Sequence, residues 1–115
     1  MSVAFQGIET LVVTFRTEGV TAGKPAAMSA NETVTDAADA TAPVGLVLNQ
    51  RGKLAAVQVK GFARMPYSGT APGLGFVSLV ADGQGGLRTA ASSESGRSCL
   101  VVQVDETNHE VGVFL

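Results

Sequence analysis

Apolar and polar positions alternate along most of this chain, in short runs set between clusters of Gly, Pro, Asn, Asp and Ser. The clearest stretch is Ala42–Leu48 followed by Lys53–Met65, two apolar runs separated by Asn49-Gln50-Arg51-Gly52. Branched apolar residues on both sides of a few turn formers predict a β-hairpin. In its second limb the period of two sets Ala55, Val57 and Val59 on a core face and turns Gln58 and Lys60 to solvent.

The same reasoning predicts a strand over Ile8–Glu18, where Leu11, Val13 and Phe15 alternate with more polar neighbours, ended by Gly19. Pro25 removes a backbone donor and fixes φ, so the segment up to Met28 begins a strand or runs along an edge. Thr33-Val34-Thr35 reads as a brief strand, and Asp36–Ala42 as a single helical turn capped by Thr35 or Asp36. Beyond the Pro/Gly-rich connection 66–75, strands are expected at Phe76–Ala81 and around Leu87–Ala90. Cys99–Asp105 and Val111–Leu115 are expected to pair across the turn Glu106–Glu110. The expectation is all-β: a small single-domain β-barrel or β-sandwich of about eight short strands, with at most a short helical turn. Residues 1–7 read as an extended N-terminal arm, with Val3 and Phe5 on one side, ahead of a β-barrel domain over 8–115.

Composition narrows the function classes. A length of 115 residues fits one domain with a modest core. The net charge of −2 offers no general attraction to nucleic acid or to an anionic membrane, and neither is expected as a partner. No apolar run approaches the ~18 residues of a membrane span, and the first residues lack the basic and apolar regions of a signal peptide. A soluble protein made inside the cell is expected. With one cysteine, Cys99, and one histidine, His109, neither a disulfide nor a metal site is expected, and no cofactor is implied. Cys99 reads as a small buried hydrophobe.

Ser98, Asp105 and His109 supply the letters of a catalytic triad within one strand and its turn, but without the sequence context of a known nucleophile. The glycines between Gly69 and Gly86 lack the following helix and the Lys-Ser/Thr of a phosphate cradle. No enzymatic activity is expected. Half of the cationic side chains, Arg51, Lys53, Lys60 and Arg64, fall in the central hairpin, and Lys60 and Arg64 are expected on one strand face as a local positive patch.

Several segments in order, Val20–Met28, Val34–Asp39, Pro43–Val47, Ala56–Ala63 and Gly75–Gly83, resemble the small capsid decoration, or cement, proteins of tailed bacteriophages. The resemblance covers roughly residues 20–104 and lies in the order and spacing of short apolar elements. It departs from the family pattern in the long first strand, Ile8–Glu18. It implies a structural virion protein that is made in the host cytoplasm and binds the outer surface of an assembled phage head. There it would bridge neighbouring major capsid subunits, commonly as a homotrimer, with an N-terminal segment reaching onto them. The residues expected to touch capsid or a neighbouring copy are Val3, Phe5, Gln58, Lys60 and Arg64. A rival expectation, a carbohydrate-binding β-sandwich on a virion or cell surface, would call for exposed aromatic rings; Tyr67 is the only Tyr and Trp is absent.

Overall fold

The computed structural model describes residues 10–115, which form ten strands and no helix. The first five are β1 (Leu11–Thr17), β2 (Pro25–Ala30), β3 (Thr33–Asp36), β4 (Gly45–Arg51) and β5 (Leu54–Lys60). They close into a small barrel in the order β1-β3-β2-β4-β5, with β5 paired back to β1. The others are β6 (Phe62–Pro66), β7 (Gly75–Ala81), β8 (Leu87–Thr89), β9 (Arg97–Asp105) and β10 (Glu110–Phe114). They make a second, antiparallel sheet in the order β6-β10-β9-β7-β8. The all-β expectation holds, with ten strands where about eight were expected. The expected arm, residues 1–7, lies outside the described residues, and so do Val3 and Phe5.

The central hairpin forms where the alternation puts it, but its turn is tighter and its second limb is broken. β4 runs on to Arg51, which pairs with Leu54, so Gly52 and Lys53 alone make the turn, with Gly52 at φ 57°. The limb expected to run unbroken from Lys53 to Met65 divides at Gly61, whose φ of 104° suits a residue without a Cβ. β5 belongs to the barrel and β6 to the second sheet, so Lys60 and Arg64 do not share a strand.

Each sheet has its own core. Inside the barrel Ala26, Val34, Val47, Ala55 and Val57 pack together; under the second sheet Ala63, Met65, Tyr67, Leu79, Leu87, Cys99, Val101, Val111 and Val113 do so. The two units meet because the second sheet lies against the outside of the barrel, where Leu46 of β4 packs on the second core. Gln58 stands opposite Leu46 on that covered face. The solvent position expected for Gln58 is therefore overturned: it is 7% exposed, and its amide donates to the carbonyls of Phe62 at 2.8 Å and Lys60 at 3.3 Å, on both sides of the Gly61 bend.

A second polar group ties the layers from the other side. The Arg97 guanidinium on β9 donates to the barrel carbonyls of Val44 at 2.6 Å, Val59 at 2.9 Å and Pro43 at 3.3 Å. Backbone bonds add to this: Ala40 N–H donates to the Ala81 carbonyl and Ala81 N–H to that of Thr41. These bonds also explain why the helical turn expected over Asp36–Ala42 does not form. Asp36 ends β3 with its carboxylate on the Thr21 amide and hydroxyl, Ala40 takes a φ of 67°, and the next backbone groups bond to β7. A segment this short cannot recover the cost of helix nucleation against such partners.

Replacing Gln58 by Met keeps volume but removes the amide that bonds the Lys60 and Phe62 carbonyls across the bend. A loss of about 1–3 kcal/mol in urea unfolding is expected; a change within about 0.5 kcal/mol, the range of ordinary surface substitutions, would show that the amide does not hold the bend.

Candidate functional site

The chemistry-bearing residues are not assembled. Ser98 pairs with Ser78 at one end of β9, while Asp105 ends the same strand seven residues on, about 23 Å away at strand rise. Asp105 is occupied in its own turn, accepting from the amides of Thr107 and Asn108 at 3.1 Å and from the Asn108 side chain at 2.8 Å. His109 sits in that turn at φ 53°, exposed, with its ring 5.6 Å from that of Tyr67 and its carbonyl accepting the Tyr67 amide. Cys99 is buried, and burial pushes its thiol pKa up despite the positive charge of Arg97. Among the described residues no group of three or more His, Cys, Asp and Glu could hold a metal ion, and no helix is long and apolar enough to cross a membrane.

The glycine-rich loop after β7 is a turn built around one carboxylate. Asp82 accepts from the amides of Gln84 and Gly86 and from the Ser68 hydroxyl. Partial burial pulls this carboxyl up, but those donors outweigh it and leave it below its ordinary value. Nearby, Arg88 meets Glu94 through two 2.7 Å bonds and Asp39 through one of 3.1 Å, an ion-pair group joining the loop before β9 to the loop before β4. These networks anchor loops; their polar atoms are already used.

The second sheet's outer face holds the most prominent exposed feature. Because Ala63, Val101 and Val113 face the core, the alternate positions must face out. Register then lines up Phe76 of β7 with Leu100 of β9, Leu100 with Phe114 of β10, and Phe114 with Phe62 of β6. Four apolar side chains thus run straight across four strands, about 14 Å at ordinary strand spacing. The Phe62 and Phe114 rings meet edge to face at 5.6 Å, and a Cβ at Gly112 would come within 3.0 Å of the Phe62 ring. The row opens toward solvent at its β7 end, where Phe76 is 78% exposed and Leu74 beside it 72%.

A second open feature lies on the barrel. β1 is paired with β5 along its length, but with β3 only at Arg16 and Thr17. The other edge of Leu11–Phe15 has no neighbouring strand among the described residues. A groove of about 380 Å³ at this part of the barrel is lined by Val13, Thr14, Phe15, Arg16, Glu32 and, from β5, Leu54.

Of the contact residues expected from sequence, Lys60 and Arg64 are exposed, and Arg64 pairs with Glu110 at 3.2 Å. Gln58 is internal, and Val3 and Phe5 are outside the described residues. Tyr67, the ring a sugar-binding surface would have needed, is buried. Sequence reasoning passed over Phe76 and Leu74; the available signal was a large ring at an alternate position of a strand whose other residues suit a core. Compared with known proteins, the chain matches no family model and no curated sequence. What the fold establishes is its class: an all-β domain of a five-stranded barrel and a five-stranded sheet.

Glu94 gives a pH test of the loop anchor. Hydrogen bonds from Arg88, with one from the Ala91 amide, hold its carboxyl down to about 2 from an ordinary value of 4.5. A carboxyl lowered by folding stabilises fully above its unfolded value, and that contribution is lost as pH falls through the folded one. Melting temperature should therefore drop between about pH 4.5 and 2. In Arg88→Met the part of this drop due to Glu94 should shrink, since only the Ala91 amide still holds the carboxyl down, so identical pH profiles for variant and parent would refute the coupling.

Proposed function

We propose that this protein decorates the outer surface of an assembled phage head, binding across neighbouring major capsid subunits as a homotrimer and stiffening the shell. The exposed pair Leu74 and Phe76 carries this reading: a large ring standing on a tied-down sheet is a ready anchor for a partner surface. The sheet beneath cannot easily bend away. Phe76 stands on β7, which is bonded to β9 and β8, and β9 is clamped to the barrel through Arg97.

Several physical features suit such a role. A decoration protein works by repetition: many copies bridging adjacent subunits turn modest single contacts into strong resistance to expansion. Its requirements are a rigid body and apolar anchors, and Gln58, Arg97, Asp82, Arg88 and Glu94 serve rigidity through internal bonds. The rim of the outer row is polar, with Ser78, Ser98, Arg64, Gln103 and Glu110 around Phe76, Leu100, Phe114 and Phe62, the arrangement of an interface core within a rim. Support also comes from the order and spacing of elements that resemble the cement proteins.

The test is binding of the purified protein to undecorated, expanded heads, followed by co-sedimentation. Wild-type protein should saturate the heads and raise their resistance to heat-induced DNA release. Phe76→Ser should bind at least tenfold more weakly, about 1.4 kcal/mol or more, with an unchanged melting temperature. A folded wild-type protein that leaves every head bare would end the proposal; equal binding by the variant would move the contact away from this row.

A further inference from the structure

We infer that the row formed by Arg16, Leu54 and Arg51 on the outside of the barrel is a docking surface for an acidic segment of another protein, one that carries carboxylates on both sides of an apolar side chain. Register builds the row. Leu54 of β5 stands opposite Arg16 of β1 and opposite Arg51 of β4, and directly paired residues present their side chains on the same face. That face is the outer one, because Ala55, the next residue of β5, is buried in the barrel core. Leu54 is 52% exposed, and both arginines are exposed. Gln58 lies on this same face of β5 under the cover of the second sheet, and the cover ends before Leu54.

The charges select the occupant. Three of the five arginines are committed within the molecule: Arg64 to Glu110, Arg88 to Glu94 and Asp39, and Arg97 to barrel carbonyls. The other two are those of the row, and among the described residues their side chains make no ion pair or hydrogen bond. Lys53, next to Leu54, is paired with Glu18 at 3.5 Å where both side chains are open to solvent, so that pair is weak. A hollow of about 450 Å³ lined by Arg16, Thr17, Glu18, Thr33, Lys53 and Leu54 opens beside the row. Arg16, Arg51 and Lys53 have only Glu18 and Glu32 as acidic neighbours here, which leaves the surface positive. A guanidinium takes a carboxylate through two parallel hydrogen bonds. Arg16 and Arg51 stand two strand spacings apart, about 10 Å, and an extended segment sets residues i, i+2 and i+4 on one face over about 13 Å. The long side chains of Arg and Glu span the difference, so an acid-x-apolar-x-acid segment matches the row.

A second copy fits the row poorly. Among the described residues the acids outside any hydrogen bond or ion pair are Glu32 and Glu106, one in the turn after β2 and one in the turn after β9, so no pair of carboxylates is presented together. Nucleic acid fits poorly as well: the row has no ring on which a base could stack, its centre is a leucine, and the net charge of the chain is −2. Exposed ion pairs contribute little each, so the affinity for a short segment is weak and falls with salt. The row is on the barrel and Phe76 on the second sheet. This docking goes beyond the shell-binding reading and is tested on the free protein, so either can fail alone.

Amide chemical shifts of the isotope-labelled full chain, titrated with the capped peptide Gly-Glu-Ser-Leu-Ser-Glu-Gly, read both affinity and place. Shifts should concentrate at Thr14–Thr17 and Arg51–Ala55, and the same peptide with Gln for both Glu should leave them unmoved. Arg16→Gln and Arg51→Gln should each weaken binding about threefold and the double variant about tenfold, with an unchanged melting temperature. Arg64→Gln, which is off the row, should bind like the parent, and Leu54→Ser should weaken binding without touching a charge. Four results would overturn the inference: shifts centred elsewhere, equal binding of the Gln peptide, an equal loss in Arg64→Gln, or tighter binding of an oligothymidylate of the same net charge. Shifts at the row that grow with protein concentration in the absence of peptide would overturn it too, in favour of a second copy.

Discussion

Everything in this molecule depends on the polar clamp between its two sheets. The chain leaves the barrel at Gly61 and enters the second sheet within one residue, and the bend leaves carbonyls facing inward. Gln58 satisfies two of them from one side, and Arg97, reaching across from β9, satisfies three barrel carbonyls from the other. A charged guanidinium and a primary amide placed there would be costly if unpaired, so their bonds specify one docking of sheet on barrel and penalise others. Arg88, with Glu94 and Asp39, repeats the device between loops.

Several polar groups of this body are taken up in holding it together. Asp36, Asp82, Asp105 and Glu94 all hold turns or loops, and the thiol of Cys99 sits in the core. The exposed features that stand out are the apolar pair Leu74 and Phe76 on the second sheet and, on the barrel, the edge of Leu11–Phe15 that meets no neighbouring strand among the described residues.

Much of the fold was legible along the chain. The hairpin at Arg51–Leu54, the β9–β10 pair across its Asp105 turn, the interior place of Val57 and Cys99 and the all-β character follow from alternation and turn chemistry alone. Two local errors share one origin. The segment Asp36–Ala42 and the limb Lys53–Met65 were each read on local pattern, and each was redirected by partners far along the chain: Ala81 for the first, Phe114 and Leu115 for the second.

A period of two states that a strand has two unlike faces; it does not say whether the polar face meets water or another layer. For Gln58 the second sheet covers that face, so a polar residue became internal, whereas for Phe76 nothing covers it and a ring became a surface anchor. Edges are equally silent in sequence: β1 carries the same alternation at Val12 as at Arg16, yet only at Arg16 does β3 arrive to pair with it. The sequence by itself determined which residues become strands, where they turn and which side chains suit a core. Only the tertiary structure decided which face is covered and which edge stays open, because both depend on contacts between segments distant in the chain.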